Sequence, residues 1–145
     1  MSPSADDRAV RAALDAFYDA FQALDMAAMA RVWAQRPQDV CVHPGWEILS
    51  GWPVIRESWR AIFANTGFVR FQATDVQVEL LGDLARVTNV ENLLTVAGQE
   101  TAHSVIAATN LFLRTPHGWK LTLHHGSPMA MHQSVSELDP DEPAN

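Results

Sequence analysis

The residues best equipped for chemistry cluster between Val40 and Trp59, in the run VCVHPGWEILSGWPVIRESW. This run holds three of the five tryptophans and the single cysteine of the chain. Imidazole titrates near ~6.5 when unperturbed, which suits proton transfer at neutral pH. His43 is therefore the first candidate proton carrier. Aromatic side chains beside it, at a strand-to-helix junction, are what the mouth of a ligand pocket needs. The plainer alternative is that His43 braces its turn through a hydrogen bond to neighbouring backbone. Trp46, Trp52 and Trp59 could stack on a flat ligand, or simply pack the core and its rim. Cys41 alternates with His43 and points the same way. However, Cβ atoms two residues apart on a strand lie ~7 Å apart, and a cysteine flanked by apolar residues is usually a small buried hydrophobe. A Cys–His nucleophile is disfavoured.

Further candidates lie on later strands. In the run RVTNVENLLTV, Val87, Asn89, Glu91 and Leu93 share one face and Thr88, Val90, Asn92 and Leu94 the other, and both faces are mixed. A buried Glu91 would have a raised pKa and could act as acid or base. Paired with Arg70 or Arg86 it would be structural. His124 and His125 are adjacent, so they face opposite sides of their strand. Counting from Trp119, Leu121 and Leu123 puts His125 on the apolar, inward side and His124 on the polar or partner-facing side. The chain has no HxxxH or HxH cluster, and zinc wants three or four ligands at fixed geometry. No metal and no cofactor are expected.

These groups must be positioned by an ordered series of elements. Val10, Leu14, Phe17, Tyr18, Phe21 and Leu24 recur at three and four, giving an amphipathic helix from Asp6 to Leu24 capped by Asp6 or Asp7. Asp25 caps a second short helix over 26–34 that turns Met26, Met29, Val32 and Trp33 inward, and Pro37 stops it. Val40–His43 reads as a short strand, Pro44-Gly45 as a turn, and Trp46–Leu49 as the hairpin partner. Pro53 suits the first turn of a third helix, with Val54, Ile55, Trp59, Ile62 and Phe63 as its apolar stripe. Beyond Gly67 the period changes from 3.6 to 2. Phe68–Leu81, Ala85–Val96, Ala102–Arg114 and Trp119–His125 read as four long strands joined by short, antiparallel hairpin turns.

The 145 residues fit one domain, expected over 6–131, with flexible tails at 1–5 and 132–145. Hydrophobic residues make up 48%, enough for an ordinary soluble core without a disulfide. A net charge of −7 with 10 Lys and Arg lacks the basic stripe that nucleic acid requires. With no apolar run near 18 residues and no basic-then-apolar leader, the expectation is a cytoplasmic protein with neither nucleic-acid nor membrane partners. The tail SVSELDPDEPAN, with four acids and no base, is expected to be disordered.

The element order is α+β. Together with four motifs it resembles the NTF2-like superfamily, in particular its bacterial SnoaL-like branch. The motifs are Leu24-Asp25 closing the first helix; the VCVHPG strand and turn; Gly51-Trp52 opening a helix through Trp59 to Phe63; and Trp119-Lys120-Leu121 followed by His124-His125-Gly126-Ser127-Pro128. The resemblance implies a cone, in which three N-terminal helices pack in a curved antiparallel sheet around a pocket. It also implies a homodimer through the outer sheet face. In the steroid isomerases of this superfamily an aspartate base precedes a proline where this chain has His43-Pro44. Phe17 takes the place of their oxyanion tyrosine, with Tyr18 one residue out and pointing about 100° away. The late-strand aspartate has no match near Thr109-Asn110. Steroid isomerisation is disfavoured. The Asp-Arg-Asp trio of limonene epoxide hydrolase and the tyrosines of scytalone dehydratase are not matched either. The ending WKLTLHHGSP is similar to the association domain of the calmodulin-dependent kinases, which fits the fold and self-association.

Fold does not fix function, so three readings follow. The first is a domain binding a small apolar ligand. The second is an acid–base enzyme of isomerase, cyclase or dehydratase type acting on an apolar or aromatic carbonyl compound, with His43 and Glu91 as catalytic groups. The third is a dimerisation module without ligand. Trp46, Trp59, Asn110 and His125 are the expected ligand-lining residues.

Overall fold

The computed structural model describes residues 3–130; the expected C-terminal tail lies outside the described residues. Helix α1 spans Ala5–Ala23. Val10, Leu14, Phe17 and Tyr18 recur on one face, and all four are buried. Its cap is Ser4, whose Oγ accepts from Asp7 N at 3.0 Å, and not Asp6 or Asp7 as expected. Asp6 is instead held by Arg114, at 2.9 and 2.7 Å, clasping the helix start to the sheet. Leu24 adopts a left-handed conformation (φ 52°) that ends α1. Asp25 then caps α2, Met26–Val32, through Ala28 N. The helix is shorter than expected because Trp33 turns extended and bridges to Leu121.

Strand β1 is Val40–Val42. Its partner β2 is only Leu49–Ser50, paired Val40↔Ser50 and Cys41↔Leu49. The sequence pattern placed this partner over Trp46–Leu49. Those earlier residues instead form an exposed loop, opened by a turn in which Trp46 N donates to His43 O at 2.8 Å. Helix α3 spans Trp52–Ala64 and buries Trp52, Ile55, Ser58 and Trp59. Val54, expected in its apolar stripe, is 51% exposed, whereas the polar Ser58 faces inward.

Four long strands follow: β3 Phe68–Leu81, β4 Leu84–Ala97, β5 Glu100–Thr115 and β6 Gly118–Pro128. All six strands form one sheet in the order β2-β1-β6-β5-β4-β3. The four long strands are antiparallel neighbours, while β1 runs parallel to β6. One sheet face takes the helices. On it Ala85, Val87, Asn89 and Glu91 of β4 alternate with outward residues, as do Ile106, Ala108, Asn110 and Phe112 of β5. The three-helix, curved-sheet α+β architecture expected from the sequence is the one observed.

Strand β6 breaks its alternation. Leu111 pairs with Leu123, but Phe112 pairs with Leu121. Thr122 is therefore an extra residue, a β-bulge, and the inward face shifts by one beyond it. Before the bulge Trp119 and Leu121 face the core; after it His124 and Gly126 do.

Candidate functional site

The interior of the cone carries an aromatic cluster with a polar strip through it. Phe17 and Phe21 of α1 meet Trp59 of α3 at ring separations of 5.7 and 5.0 Å, near-perpendicular in both cases. Phe71 of β3 stacks on Tyr18 at 4.4 Å. Burying these rings supplies the apolar walls. The polar strip runs across the inward face of β4, β5 and β6, since Val87, Asn110 and His124 are cross-strand neighbours and Asn89 and Glu91 continue the same face.

Its hydrogen bonds form one connected chain. Tyr18 Oη donates to Glu91 Oε2 at 2.7 Å. Asn89 Nδ2 donates to Tyr18 Oη at 2.8 Å. Asn110 Nδ2 donates to Asn89 Oδ1 at 3.1 Å. Asn110 Oδ1 lies 2.6 Å from His124 Nδ1. Finally, His124 Nε2 lies 3.9 Å from Glu91 Oε2. All five side chains are buried, none more than 6% exposed. Such a network is costly unless each member is satisfied, and the chain nearly closes on itself.

Burial works against charge on this strip. Burial raises the Glu91 carboxyl to about 7, against a smaller downward pull from the Tyr18 hydroxyl. Burial lowers His124 to about 3, reinforced by His43 and His125. Both shifts oppose ionisation: His124 is neutral at pH 7, while Glu91 divides between its protonated and ionised forms, so the two are not a fixed ion pair. Among the described residues no Lys or Arg side chain pairs with Glu91. The expected structural alternative, a pair with Arg70 or Arg86, is thus not formed; Arg86 bonds Glu79 on the other face.

His43 lies at the end of β1, 3% exposed. Its ring sits edge-on to Trp59 at 4.7 Å and to Trp46 at 4.8 Å. Nε2 is 2.9 Å from Ser58 Oγ, and Ser58 Oγ donates to Ile55 O at 2.6 Å. The imidazole therefore braces the strand end against α3 through a side chain, not through its own turn. Burial lowers it to about 4. Cys41 Sγ approaches the His43 ring at 3.7 and 3.9 Å. Burial, then the Glu91 charge, pushes that thiol up, so it stays protonated and unreactive.

The other expected lining residues divide. Trp59 and Asn110 are fully buried in the interior, whereas Trp46 is 46% exposed at the rim. His125 is exposed and His124 is buried, the reverse of the expectation. The bulge at Thr122 is the reason, because alternation counted from Trp119 assumes an unbroken strand. Sequence reasoning also passed over Tyr18 and Asn89. Tyr18 was legible as an inward helix residue from its spacing with Leu14 and Phe21, but its partner is 73 residues away.

Two clefts open elsewhere. One, of about 470 Å³, lies between α1 and α2 over Ala16, Ala20, Ala28 and Trp119. The other, of about 870 Å³, is lined by Gln22, Arg70, Phe71, Leu93, His103 and Ser104 among others. None of His43, Glu91, Asn110 or His124 lines either cleft. Phe71 both lines the second cleft and stacks on Tyr18.

Comparison with known proteins places this geometry in a family. A proposed dehydratase of the NTF2-like family from Streptomyces avermitilis is 39% identical, with a TM-score of 0.83 over 88% of this chain and 99% of its own. A protein from Thiobacillus denitrificans, named as a calcium/calmodulin-dependent protein kinase type II association domain, is 36% identical with a TM-score of 0.70, covering 82% and 94% of the two chains. The F-box protein SKIP8 of Arabidopsis thaliana is 29% identical over 125 residues, 86% of this chain. The chain spans about half the length of that curated relative, 52%. The family model of the SnoaL-like domain matches residues 10–131, and the chain belongs to that family, within the NTF2-like proteins.

Proposed function

We propose that the domain binds a small, mainly apolar, uncharged molecule inside the cone and acts on it by acid–base chemistry centred on Glu91. The observation that carries this reading is the state of Glu91. It is a carboxyl group 4% exposed, without a cationic partner among the described residues, in an aromatic shell. Burying a lone carboxylate costs several kcal/mol, and an apolar residue would serve packing better. A carboxyl held near neutrality is, in contrast, matched to proton transfer at physiological pH. The aromatic rings of Trp59 and Phe17 supply apolar walls, Trp46 a rim, and Asn110 and His43 polar contacts. Phe71, which lines the larger cleft and stacks on Tyr18, is the side chain that must move to admit a ligand. The dehydratase named for the Streptomyces relative is one reaction of this type. Nothing in the described residues forms a helix long and apolar enough to cross a membrane, which is compatible with the proposed cytoplasmic setting.

The test is a thermal-shift screen of neutral aromatic and alicyclic alcohols and ketones against wild type, Glu91→Gln and His43→Ala. Compounds that stabilise wild type and lose that effect in Glu91→Gln support the reading. Equal shifts in all three proteins, or no shift with any compound, would sink it.

Self-association is a second reading, favoured by the 36% identity to a kinase association domain. The outer sheet face, with Val90, Leu111 and Leu123 half-buried beside the exposed His125, is the proposed surface of a homodimer. Light scattering on a sizing column checks it, and a monomer at micromolar concentration refutes it.

A further inference from the structure

The hydrogen-bond chain has a direction, and direction fixes protons. Asn110 uses its Nδ2 on Asn89 Oδ1, so the atom it turns to His124 is the oxygen Oδ1. A carbonyl oxygen only accepts. His124 must therefore carry its proton on Nδ1. Asn89 in turn uses Nδ2 on Tyr18 Oη, whose own proton goes to Glu91. Flipping either amide alone would set two oxygens or two nitrogens against each other, so each bond in the series fixes the orientation of the next.

His43 obeys the opposite logic. Ser58 has one hydroxyl proton and spends it on Ile55 O. Its oxygen is left to accept, so His43 carries its proton on Nε2. The two buried histidines are neutral and in opposite tautomers.

Deepening the function proposed above, and resting on it for the presence of a ligand, we infer that Glu91 and His124 form a proton-sharing pair whose natural guest is a hydroxyl group. The Nε2 lone pair of His124 faces Glu91 Oε2 across 3.9 Å. That is too far for a direct hydrogen bond. It is close enough for one oxygen, at about 2.8 Å from each, to touch both. With the carboxyl proton on Oε2, whose remaining lone pair accepts from Tyr18 Oη, such an oxygen accepts from Oε2–H and donates to Nε2. A hydroxyl can do both at once. A carbonyl cannot donate, and a carboxylate would face an acceptor with a negative charge. Trp59 lies beside the pair with an unpartnered N–H. It is fully buried, its ring is 6.2 Å from that of His124, and its Nε1–H has no acceptor among the described residues. Buried N–H groups are rarely left so. Water, an alcohol or a phenol share the required chemistry. Tyr18, Asn89 and Asn110 are positioning residues in this scheme, since they act by setting the orientation of the pair.

Long-range ¹H–¹⁵N spectra of the whole chain at pH 7 read the tautomers directly, with His124→Gln and His43→Gln assigning the signals. The expected result is Nδ1–H for His124 and Nε2–H for His43. Asn110→Asp keeps the acceptor and should keep Nδ1–H; Asn110→Leu should release it. An Nε2–H or doubly protonated His124 in wild type overturns the pair. The guest is tested by adding 2-naphthol, 2-naphthoate and naphthalene. A shift of the His124 Nε2 signal with 2-naphthol alone supports the hydroxyl class, and a response to 2-naphthoate equal to that of 2-naphthol refutes it. The correct tautomers with no response to any of the three would uphold the pair, refute its hydroxyl guest and count against the ligand-binding reading, so the two proposals fail separately.

Discussion

Glu91 Oε2 and His124 Nε2 lie 3.9 Å apart on neighbouring parts of the inward sheet face, both buried and both held toward their neutral forms. An acid that prefers its proton beside a base that refuses one is an arrangement that packing alone does not require. Its consequences for stability can be read from the pH dependence of folding.

Glu91 binds its proton more tightly in the folded state, at about 7, than at the ordinary carboxyl value of 4.5. The folded state thus holds more protons than the unfolded chain between those values, and stability is withdrawn as pH rises through that window. Glutamine carries no such charge. Glu91→Gln is expected to gain about 3 kcal/mol relative to wild type across it, at about 1.4 kcal/mol per pKa unit. The groups facing Glu91 do not compete, because Tyr18 and Cys41 are pushed up and His43 and His124 down. Urea denaturation of both proteins at pH 5 and pH 8 checks this; a constant difference between them would falsify the assignment.

The histidines act in the acid range. Their folded values, about 4 for His43 and about 3 for His124, lie below the ordinary 6.5. Each therefore stabilises the fold above pH 6.5, and that contribution is lost as pH falls toward 4 and then 3. Acid unfolding followed by far-ultraviolet circular dichroism should be less steep in His124→Asn than in wild type. An unchanged slope would mean that His124 is solvated.

The choice between adjacent histidines gives a direct test of the Thr122 bulge. His124→Ala breaks a buried hydrogen bond to Asn110 and leaves a void against Phe17, whose ring is 4.8 Å away. A loss of about 2–3 kcal/mol is expected. His125→Ala, at an exposed position, should change stability by less than about 0.5 kcal/mol. Chemical denaturation of the two variants decides, and the opposite ranking would restore an unbroken strand.

Gly126 follows the same inward phase. A Cβ there would meet Ile106 Cγ2 at 3.0 Å and Pro44 Cγ at 3.1 Å. Gly126→Ala should therefore push the Pro44 turn away from β5 and cost about 1–3 kcal/mol. Because that turn begins at His43, the His43–Trp59 contact should loosen too. Quenching of tryptophan fluorescence by acrylamide would report it, and unaltered quenching with unaltered stability would count against the tight packing.

Much of this architecture was legible in the chain. The three-and-four spacing of Val10, Leu14, Phe17 and Tyr18 and the four long strand runs joined by short turns are local properties, written in neighbouring residues. The inward face of β4 is not, because both faces of that strand are mixed, and only its packing under the helices turns Val87, Asn89 and Glu91 inward. The motifs around His43 and Trp119 were enough to indicate the family. What the chain could not state is which partner each inward polar group finds. The Tyr18–Glu91 bond depends on how α1 lies on the sheet. The phase of β6 depends on its pairing with β5, where one extra residue at Thr122 turns His124 inward and His125 out. Register between strands is set by hydrogen bonds across the sheet and not by the side chains of one strand. For that reason the sequence by itself determined the cone, and only the tertiary structure decided that Glu91 is buried and that His124, not His125, faces it.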